Sequence, residues 1–183
     1  MVMLIVSLSQ RARREGLLAL ENHMPDDKFL AMGLRMVIDH IDTAKINDML
    51  NAEIQSTLDR HNTGQDVFRF IAITAPSFGM VGTLFGMVQL FASAEDPGKL
   101  AAAMALSLLS TLWGAIIAYL FALPVAGKLE FRSQEEAKNK ILMREGIMGI
   151  QEGMNPSRIE EHLNAFLAPK QRIYRNTQGE PVA

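Results

Sequence analysis

Two long stretches of this chain carry no charged side chain. There is no Asp, Glu, Lys or Arg between Phe70 and Ala94, and none between Leu100 and Gly127. The runs are 25 and 28 residues long, which as helices is about 38 and about 42 Å at ~1.5 Å per residue. A hydrocarbon core is roughly 30 Å thick, so each run can cross it with tilt or overhang. A helix in a soluble core rarely runs so far without a charged face. The pattern predicts a membrane hairpin. Met1 to Leu8 is also apolar, but it is far too short to span and lacks the basic flank and small-residue cleavage site of a signal peptide.

The flanks predict an orientation. Arg60 and Arg69 precede the first run, and Lys128, Arg132, Lys138 and Lys140 follow the second. The connection at 94–99 holds Glu95 and Asp96 against the single cation Lys99, and reads as an Asp-Pro-Gly turn. Positive residues stay on the cytoplasmic side, so both ends of the chain are expected there and the turn outside. The expected class is all-α: a two-span hairpin over 68–127, a helical arm over 1–67 and C-terminal helices with a tail over 128–183.

Apolar spacing fills in the arms. Arg11 to Glu21 is a run of helix formers broken only by Gly16. Leu30, Leu34, Val37, Ile38 and Ile41 recur every three or four residues after a candidate cap at Asp26 or Asp27. Ile46, Met49, Leu50, Ile54 and Leu58 repeat the pattern after Asp42-Thr43. A polar helix is predicted from about Lys128 to Ile150. Asn155-Pro156 then supplies a cap and a proline at the first helical position, opening a helix to about Leu167. Ala168 to Ala183 reads as a loose tail.

Several chemistries have no support. The net charge is −2, whereas phosphate binding needs a basic excess. Cysteine is absent. The four histidines, His23, His40, His61 and His162, lack ligand spacing, so no metal site is expected. Gly79, Gly82 and Gly86 are followed by no Lys-Ser/Thr to hold a phosphate, and no nucleophile elbow occurs. Neither an enzyme nor a cofactor is expected.

The spans themselves are rich in small and hydroxyl residues. Ala72, Ala75, Gly79, Gly82 and Gly86 lie at helical spacing in the first, with Gly82 to Gly86 a GxxxG match. Ala103, Ser107, Thr111 and Ala115, and separately Ser110, Gly114, Ala118 and Ala122, lie four apart in the second. Small residues let backbones approach, and packing is what holds helices together in lipid. Thr74, Ser77 and Thr83 sit in the first span, and Ser107, Ser110 and Thr111 in the second. Each alone often bonds its own backbone, but together they offer oxygens to a small cation. Neither span contains a carboxylate, and carrying an ion through lipid usually requires one. If the chain conducts, another subunit supplies the acid. Pro76 and Pro124 free the carbonyls of Ala72 and Leu120, giving either a hinge or a static kink.

The stretch from Ala75 to Gly86, APSFGMVGTLFG, resembles the third span of MotA/PomA flagellar stator subunits, a family within the MotA/TolQ/ExbB superfamily. Ala103 to Gly114 and Leu123 to Leu129 look like the fourth. Ala12 to Glu21 is similar to the family's cytoplasmic loop, and Gly149 to Pro156 also matches. The resemblance implies a homo-oligomeric ring, a pentamer in the family, around a B subunit of the MotB/PomB type whose membrane aspartate carries H⁺ or Na⁺. It implies a bacterial inner-membrane location and a push on the rotor switch protein FliG. Carried onto this sequence, Arg13 and Glu21 correspond to rotor-contact charges, Thr83 and Thr111 to hydroxyls near the ion path, and Pro76 and Pro124 to the coupling prolines. Gly79, Gly82, Gly86 and Gly114 would serve helix packing. On one uninterrupted helix Arg13 and Glu21 would stand about 12 Å apart.

The resemblance also implies two further spans ahead of Arg13, where this chain has Met1 to Leu8. A fragment of a longer stator subunit is the expectation. Two rivals stay open. A TolQ/ExbB-type energiser shares the glycine-rich span, although the Arg13 to Glu21 loop and Asn155-Pro156 argue for the motor. The other is an inert structural fragment.

Overall fold

The computed structural model describes residues 1–92, 94–167, 174–175 and 181–182. In chain order the elements are α1 (Val2–Glu15), a 3-10 segment (Leu17–His23), α2 (Lys28–Ile38), α3 (Thr43–Ala92), α4 (Pro97–Ala115), a π segment (Ile116–Ala122), α5 (Leu123–Gln151) and α6 (Pro156–Ala165). Two short strands, β1 (Tyr174–Arg175) and β2 (Pro181–Val182), pair antiparallel with Tyr174 opposite Val182. The rest of the expected tail, from Ala168, lies outside the described residues.

Most of the predicted helices are present, but several merge, and the run from Arg11 to Glu21 is divided between α1 and the 3-10 segment. The apolar arm helix at Ile46 to Leu58 and the first span form one helix, α3, because nothing between them breaks it; Gly64 alone is tolerated. Helix likewise runs unbroken from Pro97 to Gln151. The second span also begins earlier than Leu100. Asp96 accepts a hydrogen bond from the Gly98 N–H at 3.1 Å and Pro97 takes the first helical position, so Pro-Gly opens α4 instead of forming the turn. Asp27 and Asn155 cap α2 and α6, accepting from the N–H groups of Leu30 at 2.9 Å and Ser157 at 3.1 Å.

The chain divides into two compact units, Met1–Thr57 with Glu135–Ala183, and Leu58–Gln134. The first joins both ends of the chain around an ordinary apolar core. Ile5, Leu20, Leu30, Leu34, Val37, Ile46, Leu50, Ile147, Ile159 and Leu163 are all fully buried. The Met1 to Leu8 stretch is part of it: Val2, Ile5, Val6 and Leu8 line one face of α1. Glycines set the spacing. A β-carbon on Gly146 of α5 would run into Ile5 of α1, and one on Gly33 of α2 would run into Ile147. On Gly149 it would sit 3.0 Å from Ile159 of α6.

Polar ties complete this unit. The Lys140 ammonium donates to Thr57 Oγ1 at 2.8 Å, Gln151 Nε2 donates to the Ile41 carbonyl at 3.2 Å, and Arg144 donates to Asn51. Arg144 also pairs with Glu145, and His162 Nε2 lies 3.1 Å from Glu145 Oε2, linking α5 to α6. Burial pushes the Glu145 carboxyl up, but hydrogen bonds and charge from Arg144 and His162 outweigh it and hold the group below its ordinary range. A folded-state value below the unfolded one means stability that is complete above the unfolded value of about 4.5 and is lost as pH falls through the folded value. Glu145→Gln should therefore melt lower at neutral pH in detergent and lose less than the parent as pH falls below about 4.5. Identical pH profiles for the two proteins would remove this pair from the account.

Candidate functional site

The second unit holds the apolar parts of α3 and α4 through the π segment to α5, and its large side chains point outward. Phe78 is 75% exposed, Phe91 76% and Leu108 71%. What is buried between the helices is small: Ala72, Gly79 and Gly86 from α3, and Ala103 and Gly114 from α4. This reverses the pattern of a water-soluble pair, where phenylalanine would be inside.

Backbone meets backbone where the helices cross. A β-carbon on Gly114 would lie 2.8 Å from the Ala75 carbonyl oxygen and 3.2 Å from the α-carbons of Gly79 and Pro76. One on Gly79 would lie 3.1 Å from the Ser110 carbonyl oxygen. One on Gly82 would meet Ser110 Cβ at 2.6 Å, and one on Gly86 would overlap the Ser107 hydroxyl. The small-residue stripes thus serve this contact.

The hydroxyls fall into two groups. Thr83 donates to the Met80 carbonyl at 2.6 Å and Thr111 to the Ser107 carbonyl at 3.4 Å, each within its own helix. Ser107 donates to Ala103 at 3.0 Å and reaches the Thr83 carbonyl across the pair at 3.5 Å. An open groove of about 430 Å³ is lined by Thr74, Gly79, Gly82, Ser110, Trp113 and Gly114. Thr74 and Ser110 therefore share one face of the pair, while Thr83 and Thr111 are absent from it. Sequence spacing treats these hydroxyls alike; only the crossing separates them.

The prolines differ in setting. Pro76 lies inside α3 at the close crossing. Pro124 follows the π segment, where Leu123 N–H donates to the Ala118 carbonyl. A widened turn is one way a helix absorbs a missing donor, and such turns are frequent at functional sites. Pro124 is the only signal for it in the sequence.

The charges Arg13 and Glu21 do not share a helix. α1 ends at Glu15, and Gly16 takes φ 88° and ψ 165° before the 3-10 segment that carries Glu21. That backbone region is essentially reserved for glycine, so Gly16 is a true break. The expected spacing along one axis is corrected accordingly. Both charges are exposed. Among the described residues no His, Asp or Glu cluster is arranged to hold a metal.

Long helices that expose phenylalanine, pack through glycine and hold hydroxyls without acid are the membrane hairpin of an α-helical integral membrane protein. The profile of the MotA/TolQ/ExbB proton channel family matches residues 21–142, and the chain belongs to that family. It is 42% identical over 178 residues to motility protein A of Borreliella burgdorferi, covering 96% of this chain and 68% of the relative. It is 37% identical over 163 residues to the chemotaxis protein PomA of Vibrio alginolyticus, covering 89% and 64%. The fold matches C. jejuni MotAB with a TM-score of 0.89 at 26% identity, over 96% of this chain and 70% of that one. The flagellar MotAB stator complex from Bacillus subtilis gives 0.86 at 33% identity, over 93% and 68%. The chain thus spans about two thirds of the length of these relatives.

The crossing makes a graded prediction. Gly114→Ala should be the most damaging of the glycine changes, costing about 1–3 kcal/mol as overpacking, because it presses on backbone that cannot rotate away. Gly86→Ala should cost less: the Ser107 hydroxyl can turn, Ser107 Cβ at 2.9 Å must give slightly, and the nearest backbone atom, the Ala103 carbonyl oxygen, is 3.2 Å away. Thermal unfolding of the detergent-solubilised variants measures the order, and an inverted order contradicts the backbone contact.

Proposed function

We propose that this chain acts as a flagellar motor stator A subunit, which conducts an ion with a B subunit and converts its flow into torque on the rotor. The carrying observation is the close, acid-free, hydroxyl-bearing helix pair. It cannot neutralise a cation by itself, so it works only beside a partner that brings a carboxylate. The kinship with motility protein A and the fold shared with MotAB complexes supply the nature of that partner, a MotB/PomB-type subunit with a membrane aspartate.

In this reading several copies of the chain ring the B subunit in the bacterial inner membrane, with both ends cytoplasmic. The cations at Arg60, Arg69, Lys128 and Arg132 support that orientation. Arg13 and Glu21 are the charges offered to the rotor switch protein FliG, and both are exposed as that role requires. Pro76 and Pro124 couple ion passage to movement of the arms. Thr83 and Thr111 lie near the path. No cofactor takes part, and the chain transports without enzymatic chemistry.

Reversing both charges, Arg13→Glu with Glu21→Lys, should cut swimming of a stator-deleted cell several-fold while membrane levels stay normal. Swimming at the parent's rate would dismiss the rotor-contact assignment. The hydroxyls point to Na⁺, which needs oxygen ligands where a proton can ride on the aspartate. Replacing sodium by potassium at constant pH should then slow rotation, and unchanged speed identifies H⁺.

A further inference from the structure

The acid-free runs end, away from their connection, at the same kind of residue. Asp66 is the first carboxylate beyond the run on α3, and Glu130 is the first beyond the run on α5. Both meet one guanidinium: Arg69 donates to Glu130 Oε2 at 2.9 Å and to Asp66 Oδ1 at 3.4 Å. The group borders a cavity of about 320 Å³ that Gln65 and Ser133 also line. Gln65 is only 2% exposed, yet its side chain makes no hydrogen bond to any described residue. Its amide opens onto this cavity, where water or a hydrated ion can bond it. The cavity has room for several waters.

We propose that this cavity is the inner vestibule of the ion path. A small monovalent cation, a proton on water or a hydrated Na⁺, is received there by Asp66, Glu130 and the Gln65 amide before release. The proposal rests on the ion-conducting reading above. A cation leaving a span without carboxylates meets its first compensating charge here. Two carboxylates against one guanidinium leave the group at net −1, enough to attract a cation. A conducting site must also let it go, and Arg69 prevents the −2 that would hold it. Gln65 and Ser133 supply neutral oxygens that replace part of a hydration shell.

The test uses the full-length subunit with its B partner in a stator-deleted cell, reading single-motor speed at low load and torque at stall. At low load speed follows the rate of ion transit; at stall the torque reflects the free energy released per ion. Asp66→Asn with Glu130→Gln takes the group to net +1 and should lower low-load speed several-fold while stall torque per incorporated unit stays at the parent value. Adding Arg69→Gln returns the group to neutral and should recover part of the speed. If the cluster merely ties α3 to α5, the triple variant is worse than the double and stall torque per unit falls; that result overturns the proposal, as does parental low-load speed in the double. A parent that drives no rotation would instead refute the stator reading itself. Repeating the speeds with and without sodium separates Na⁺ from H⁺ as the occupant.

Discussion

Everything in the membrane part depends on how near two backbones come at Gly79 and Gly114. In hydrocarbon there is no hydrophobic force to press one helix on another, so association rests on contact area and on hydrogen bonds between helices. Glycine at both positions brings the Ala75 and Ser110 carbonyls within van der Waals reach of the opposite helix. That approach also places Ser107 where its hydroxyl can reach the Thr83 carbonyl on the facing helix. Larger residues at the crossing would widen the gap, and the shared face of Thr74 and Ser110 would open with it. Close packing and the arrangement of polar oxygens are one property.

The first unit is built on the opposite principle. It excludes water from a leucine and isoleucine core, and its charges are paired at the edges through Arg144, Glu145, His162 and Lys140. Such a body is held by the hydrophobic effect, with the glycines of α5 setting how closely α1 and α6 settle on it. The two units thus answer to different solvents. Ions and lipid concern one, and a water-borne protein partner concerns the other. This division matches what a transducer between an ion gradient and a moving partner requires.

Much of this was legible in the residues, and the exceptions have physical causes. The spans announce themselves because a charge-free run of 25 residues has few soluble explanations. Asn155-Pro156 is read correctly, and the α2 cap is narrowed to Asp26 or Asp27, because caps are local chemistry; the structure selects Asp27. Helix continuity through residues 59–69 and past Gly127 is harder, since the absence of a breaker is a weak signal. Met1 to Leu8 has the pattern of a core-facing helix but no partner in its own neighbourhood; its contact, Gly146, lies far along the chain. The π segment is hinted at only by Pro124, and the sorting of the hydroxyls comes from tertiary geometry that no spacing rule encodes. Gly16 was visible as an interruption, but a lone glycine is compatible with an unbroken helix, and only its dihedral angles decide the matter.

That glycine changes what sort of grip the arm can offer. Charges on one rod are a ruler, and whatever engages them must match a fixed gauge. Charges on either side of a fixed bend are closer to the two arms of a bracket, and whatever engages them must match the angle between the arms. A side chain at this joint would strain or shift the bend, because the angles Gly16 adopts are nearly closed to every other residue. The angle of the bracket is therefore written in a single hydrogen atom where other residues carry carbon.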